Sequence, residues 1–107
     1  MVRRQQEMER QEAAAGQCYR TFRQGEYPPH FDSVDVITVK AGESIPNHRH
    51  VGDAEEYYFV SGVCEYDDNG TVKTVSAGDA AMTYDGEAHG LTAITDVTLV
   101  AITVTTK

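Results

Sequence analysis

His48 and His50 are separated by a single residue. On an extended segment, residues i and i+2 point to the same side, so the two imidazoles can be offered to one point in space while Arg49 turns away. Glu55 follows after Val51-Gly52-Asp53-Ala54, a stretch short and flexible enough to bring a carboxylate back toward that point. Glu56 is the alternative donor, but alternation along a strand turns it away if Glu55 faces in. His89 comes later, after Gly86-Glu87-Ala88, at the head of another extended run. Three imidazoles and one carboxylate form a borderline-hard donor set. It suits one divalent transition metal (Mn, Fe, Co, Ni, Zn or Cu) and suits Ca or Mg poorly. Four protein ligands on an octahedral ion leave two adjacent positions open for water, dioxygen or a bidentate substrate. Structural zinc sites, by contrast, are usually closed and tetrahedral.

Positioning such donors requires a rigid frame, and the chain from Gln17 onward reads as an all-β one. Gly, Thr, Val and Tyr dominate, and turn signals recur at short intervals. Strands are expected over Cys18–Phe22, Val34–Lys40, Glu56–Val60, Val63–Tyr66, Val72–Val75, Ala80–Tyr84, His89–Thr92 and Val97–Val104. Asn69-Gly70 accepts the positive φ angles of a tight hairpin. Val97–Val104 is apolar on both alternating faces, so its outer side should be covered by another sheet or a second subunit. Residues 1–16, rich in Arg, Gln and Glu with Ala13–Ala15 at the end, are expected to form a short N-terminal arm, helical or disordered. Residues 17–107 are expected to form the barrel.

The spacing resembles the two motifs of the cupin family. The first is Gly, five residues, His-x-His, three or four residues, Glu, six residues, Gly. Gly42, His48, His50, Glu55 and Gly62 fill every fixed position, and the six-residue step to Gly62 selects Glu55 over Glu56. The second is Gly, five residues, Pro-x-Gly, two residues, His, three residues, Asn. Gly78, Gly86 and His89 match, while Tyr84 replaces the proline and Ala93 the asparagine. Those two departures touch turn shape rather than ligands. The resemblance covers residues 33–104. It implies the double-stranded β-helix of RmlC-like proteins (a jelly-roll barrel), a metal on His48, His50, Glu55 and His89, and a homodimer. In finer detail the chain is similar to small one-domain bacterial cupins often labelled oxalate-decarboxylase-like.

Several classes of function are disfavoured. The net charge of −8 opposes binding to nucleic acid and to anionic membranes. No apolar run is long enough for a transmembrane helix, and the N-terminus lacks the apolar region of a secretory signal. Cys18 and Cys64 show no metal spacing and read as free thiols of a reducing cytoplasm. Tyr57 and Phe59 share the parity of Glu55, and Met82 and Tyr84 share a face of their own strand. These four are the candidate walls of a substrate pocket beside the metal, with barrel core as the competing reading. His30 reads as an exposed loop residue, Asp53 as a turn residue or a mobile acid, and Arg20 and Arg23 as surface charges or as contacts to an anionic substrate. The expected function is that of a metal-dependent enzyme acting on a small oxygen-rich molecule by decarboxylation, dioxygenation or isomerisation. The alternative is a metal-dependent binding module without turnover.

Overall fold

The computed structural model describes residues 1–11 and 17–106. Their strands are β1 (Glu9–Gln11), β2 (Gln17–Arg20), β3 (Phe31–Val39), β4 (Ser44–Arg49), β5 (Asp53–Ser61), β6 (Val63–Asp68), β7 (Thr71–Ser76), β8 (Ala80–Thr83), β9 (Ala88–Ala93) and β10 (Val97–Thr105). They form two antiparallel sheets, ordered β1-β2-β3-β10-β5-β8 and β4-β9-β6-β7. Non-sequential neighbours such as β3-β10-β5 and β4-β9-β6 give the jelly-roll arrangement expected of the sequence.

Alternation builds the core between the sheets. In β10, Val97, Leu99, Ala101 and Thr103 are buried, while Thr98, Val100, Ile102 and Val104 are half-buried on the other side. Phe59, Tyr57, Tyr66 and Leu91 meet the inward β10 residues to fill the interior. Each large side chain so buried contributes roughly 1.5–3 kcal/mol. Asn69 and Gly70 both take positive φ, 49° and 98°, and close the β6–β7 hairpin as their residue types require.

Two elements depart from the sequence expectation. The arm is not helical where it is described: Gln5–Glu7 is one 3-10 turn, and Glu9–Gln11 is a strand paired with β2. An isolated helix of this length is marginal in water, whereas the edge of β2 offers unpaired backbone groups. Arg3 also donates two bonds to the Glu26 carboxylate, at 2.9 and 2.8 Å, and ties the arm to the β2–β3 loop. The Ala13–Ala15 part of that expectation lies outside the described residues. The second departure is β4, a polar edge strand containing Pro46 that no hydrophobic alternation announces. Proline is tolerated there because an edge strand leaves some N–H groups unpaired.

Candidate metal centre

Strands β4 and β9 are in register so that His48 faces His89 directly. His50 lies just past β4. Its N–H donates to the Glu87 carbonyl at 2.9 Å, and its own carbonyl accepts from the Gly86 N–H at 2.8 Å, which fixes the turn. Glu55 reaches in from β5. The result is a cluster whose four donor atoms all lie within 4.8 Å of one another. His89 Nε2 stands 3.0 Å from His50 Nε2, 3.1 Å from His48 Nε2 and 3.1 Å from Glu55 Oε1, and His50 Nε2 is 3.3 Å from the same oxygen. Bonds of about 2.1 Å place adjacent donors about 3.0 Å apart around an octahedral ion and about 3.4 Å apart around a tetrahedral one. Three of the four observed spacings lie nearer the octahedral figure.

The hydrogen bonds on the far side of each ring decide whether a cation would fit in the middle. His48 Nδ1 is 2.9 Å from the Pro46 carbonyl oxygen, which can only accept, so Nδ1 carries the proton. His50 Nδ1 is 2.9 Å from Asp53 Oδ1, and the same reasoning applies. In the neutral rings both Nε2 atoms are then bare lone pairs. His89 Nε2 faces both of them and a carboxylate oxygen, and a single proton there serves one partner at most. His89 Nδ1 meets Thr83 Oγ1 at 2.8 Å and the Tyr66 hydroxyl at 2.9 Å, so its proton also has an acceptor on that side. Thr103 Oγ1–H donates to Glu55 Oε2 at 2.7 Å and leaves Oε1 for the cluster. Burial, the strongest single influence, pushes the Glu55 carboxyl up. Hydrogen bonds from His89 and Thr103, joined by the charges that His89 and His50 carry when protonated, outweigh it and hold the group below the ordinary carboxylate value. The donor set therefore fits a divalent transition ion.

Residues 35–105 match the profile of the cupin domain. The chain belongs to the cupin family. It is similar to an oxalate-binding protein from Thermotoga maritima, 36% identical over 63 residues, which is 57% of this chain. The match spans about half of that relative, 52% of its length. The fold is also that of a Thermotoga maritima crystal structure described as a predicted oxalate decarboxylase. That likeness has a TM-score of 0.85 at 24% identity and covers 98% of this chain and 99% of the other. An RmlC-like cupin from Shewanella frigidimarina matches at a TM-score of 0.79 and 19% identity, covering 99% and 90% of the two chains. No helix among the described residues is long and apolar enough to cross a membrane.

Within this cupin the candidate pocket walls divide. Tyr57 and Phe59 are buried, and the Tyr57 ring stacks on His89 with centroids 4.7 Å apart. Burial, followed by the Glu55 charge, raises the Tyr57 phenol well above its ordinary value, so it is a neutral wall. Phe59 packs edge-on to Tyr57 and Tyr66 as core. Met82 and Tyr84, expected on the same wall, stand 40% and 63% exposed. The reason is register: β8 pairs Thr83 with Glu55 and Met82 with Glu56, so Thr83 faces inward and Met82 shares the outer face with Glu56. That placement also leaves Glu55, not Glu56, at the cluster. Asp53 holds the His50 ring through Nδ1, while His30 is exposed and outside the cluster. Tyr66, Thr83 and Thr103 escape sequence reasoning, because nothing in their own strands marks them as supports for His89 and Glu55. Only cross-strand register could have found them.

Proposed function

We propose that this cupin holds one divalent transition metal on His48, His50, Glu55 and His89 and uses it to bind, and act on, a small oxygen-rich acid. The observation that carries the reading is the convergence of three Nε2 atoms and Glu55 Oε1, with every opposite Nδ1 provided with a partner. A metal in that position supplies Lewis acidity to a carboxylate or neighbouring oxygen. The chain's own contribution is orientation. Asp53, Pro46, Thr83 and Tyr66 fix the rings, Thr103 aims Glu55, and Tyr57 screens one side from water. His48 is exposed whereas His50 and His89 are buried, so a small molecule would approach past His48. The relative named for binding oxalate supports a small dicarboxylate as the ligand class. The reaction types in keeping with this reading are decarboxylation, dioxygenation and isomerisation, since an octahedral ion with four protein ligands keeps two positions for substrate. A second reading, binding without turnover, is favoured by Asp53. It is the carboxylate beside the ligands best placed to act as an acid, yet it is engaged with His50.

The test is calorimetric titration with oxalate of protein purified without a histidine-rich tag, before and after chelation. Carbon dioxide release and oxygen uptake are followed alongside. The expected result is about one transition ion per chain and oxalate binding that needs it. The β-sheet signal should largely survive chelation, because apolar burial holds the barrel. Failure to retain any ion, or equal oxalate binding by stripped protein, would defeat the proposal. Binding without turnover of oxalate or of other keto and hydroxy acids would select the second reading.

The proposed assembly is a homodimer, and the two unpaired buried thiols, Cys18 and Cys64, suit a reducing cytoplasm. On the outer face of the larger sheet, Val36 pairs with Val100 and Val100 with Tyr58, next to a row in which Val34 pairs with Ile102. Tyr58 and Val60 are 46% and 50% exposed. Light scattering at micromolar concentration is expected to give twice the chain mass, and Ile102→Asp to halve it. A monomeric native mass would refute the dimer.

A further inference from the structure

Strand β2 carries a guanidinium on the inner side of the larger sheet. Directly opposed residues in an antiparallel sheet project to the same face. Arg20 is opposed to Asp35, Asp35 to Ala101, and Ala101 to Tyr57. Ala101 and Tyr57 are core, so Arg20 and Asp35 belong to the same interior row. The next row on that face, about 6.6 Å away along the strands, runs Ser33, Thr103, Glu55, Thr83. The first row runs from Arg20 across three strand spacings to Tyr57, whose ring stacks against His89, and on to Ala81, and the second contains the Glu55 carboxylate of the candidate metal centre.

Arg20 and Asp35 form a two-point pair, with Nε donating to Oδ1 at 3.0 Å and Nη2 to Oδ2 at 3.1 Å. The Asp35 side chain is 12% exposed and that of Arg20 34%. Asp35 therefore fixes the plane of the guanidinium, while no bond to Nη1 is present among the described residues. The Cys18 thiol feels the charges of both groups. Burial first, and then the Asp35 charge, push it up to about 11, with Arg20 opposing and Glu55 adding to the rise. As a purely structural device the pair would be a poor one. Desolvation offsets much of the gain of a buried ion pair, and apolar residues of similar size would often hold the strands as well.

We infer that Arg20 recognises the free carboxylate of an acid bound at the metal centre, with Asp35 as the residue that positions its guanidinium. This rests on the function proposed above. In a chain with a net charge of −8, the guanidinium edge turned away from Asp35 offers an incoming anion an N–H donor. A guanidinium also matches a carboxylate better than an ammonium does, through parallel N–H donors. The ligand class is accordingly a dicarboxylate or hydroxy acid: one end is held near His48, and the other reaches toward β2.

The experiment uses the full chain loaded with metal and titrated with oxalate, malonate and succinate. The proteins are wild type, Arg20→Gln, and the double variant Arg20→Gln/Asp35→Asn, which removes the unpaired buried charge that the single change leaves. Metal affinity is measured in parallel. Both variants are expected to keep metal affinity within about threefold and to lose roughly 10-fold or more in affinity for the di-acid that wild type binds best, the scale of a lost charge-assisted bond. Unchanged di-acid affinity in Arg20→Gln overturns the inference. So does loss in the single variant that the double variant restores, because that pattern marks a structural pair. If metal-loaded wild type binds none of the three acids, the function proposed above fails, and the inference fails with it.

Discussion

His89→Ala is expected to lower metal affinity by at least about 100-fold, beyond the usual cost of losing one supporting bond around a metal ligand. His89 Nε2 is the hub of the cluster, within 3.1 Å of His48, His50 and Glu55, and its loss leaves His48 facing an empty register position across β9. The same change removes the stacking partner of Tyr57 and takes Nδ1 away from Thr83 and Tyr66. The barrel should therefore also lose about 2–4 kcal/mol of stability. His30→Asn supplies the control. His30 is exposed at φ 76°, and Asn tolerates that conformation, so neither affinity nor stability should move by more than a small factor. The measurements are competition titration against a chromophoric chelator and urea unfolding of the stripped proteins. Equal losses of affinity in the two variants would undo the ligand assignment.

How much of this arrangement the sequence discloses depends on whether a residue announces itself by type and spacing or only by its neighbours across a sheet. The His-x-His pair, Glu55 and His89 carry their chemistry in their side chains, and the glycines around them fix the spacing, so the donor set is legible before any strand is paired. Asn69-Gly70 and the two apolar faces of β10 are legible for the same reason. Met82 and Tyr84 mislead because alternation gives two faces without saying which is inside. The inner face of β8 is Ala81 and Thr83, less apolar than its outer face, and Thr83 is buried because it supports His89. β4 and β1 go unseen because they are polar edge strands, held by backbone pairing and not by apolar alternation. Arg20 is intermediate. Its charge suggests an anion, but whether it faces inside depends on the register of β2 against β3.

Gly90→Ala should have the second large effect, through backbone position alone. A Cβ at Gly90 would sit 2.8 Å from both Asn47 Cα and Asn47 N, and 2.9 Å from the Ile45 carbonyl oxygen. All three are main-chain atoms of β4, where the pairing with β9 shifts register between Ile45 and His48. Because backbone cannot rotate out of the way as a side chain can, β4 itself must lift off β9. Overpacking of this kind costs about 1–3 kcal/mol. His48 rides on β4 one residue beyond the contact, and a metal site tolerates displacements of only about 0.5 Å. Metal affinity should therefore fall by about 10-fold or more, although no ligand has been touched and His50, Glu55 and His89 keep their own supports. Thermal unfolding of the stripped protein separates the two consequences from each other. A variant that loses stability yet binds metal as wild type does would show that His48 is placed by the turn leading to His50 and not by the seating of β4 on Gly90. A variant that loses both would tie the geometry of the centre to the one residue of β9 whose side chain is a hydrogen atom.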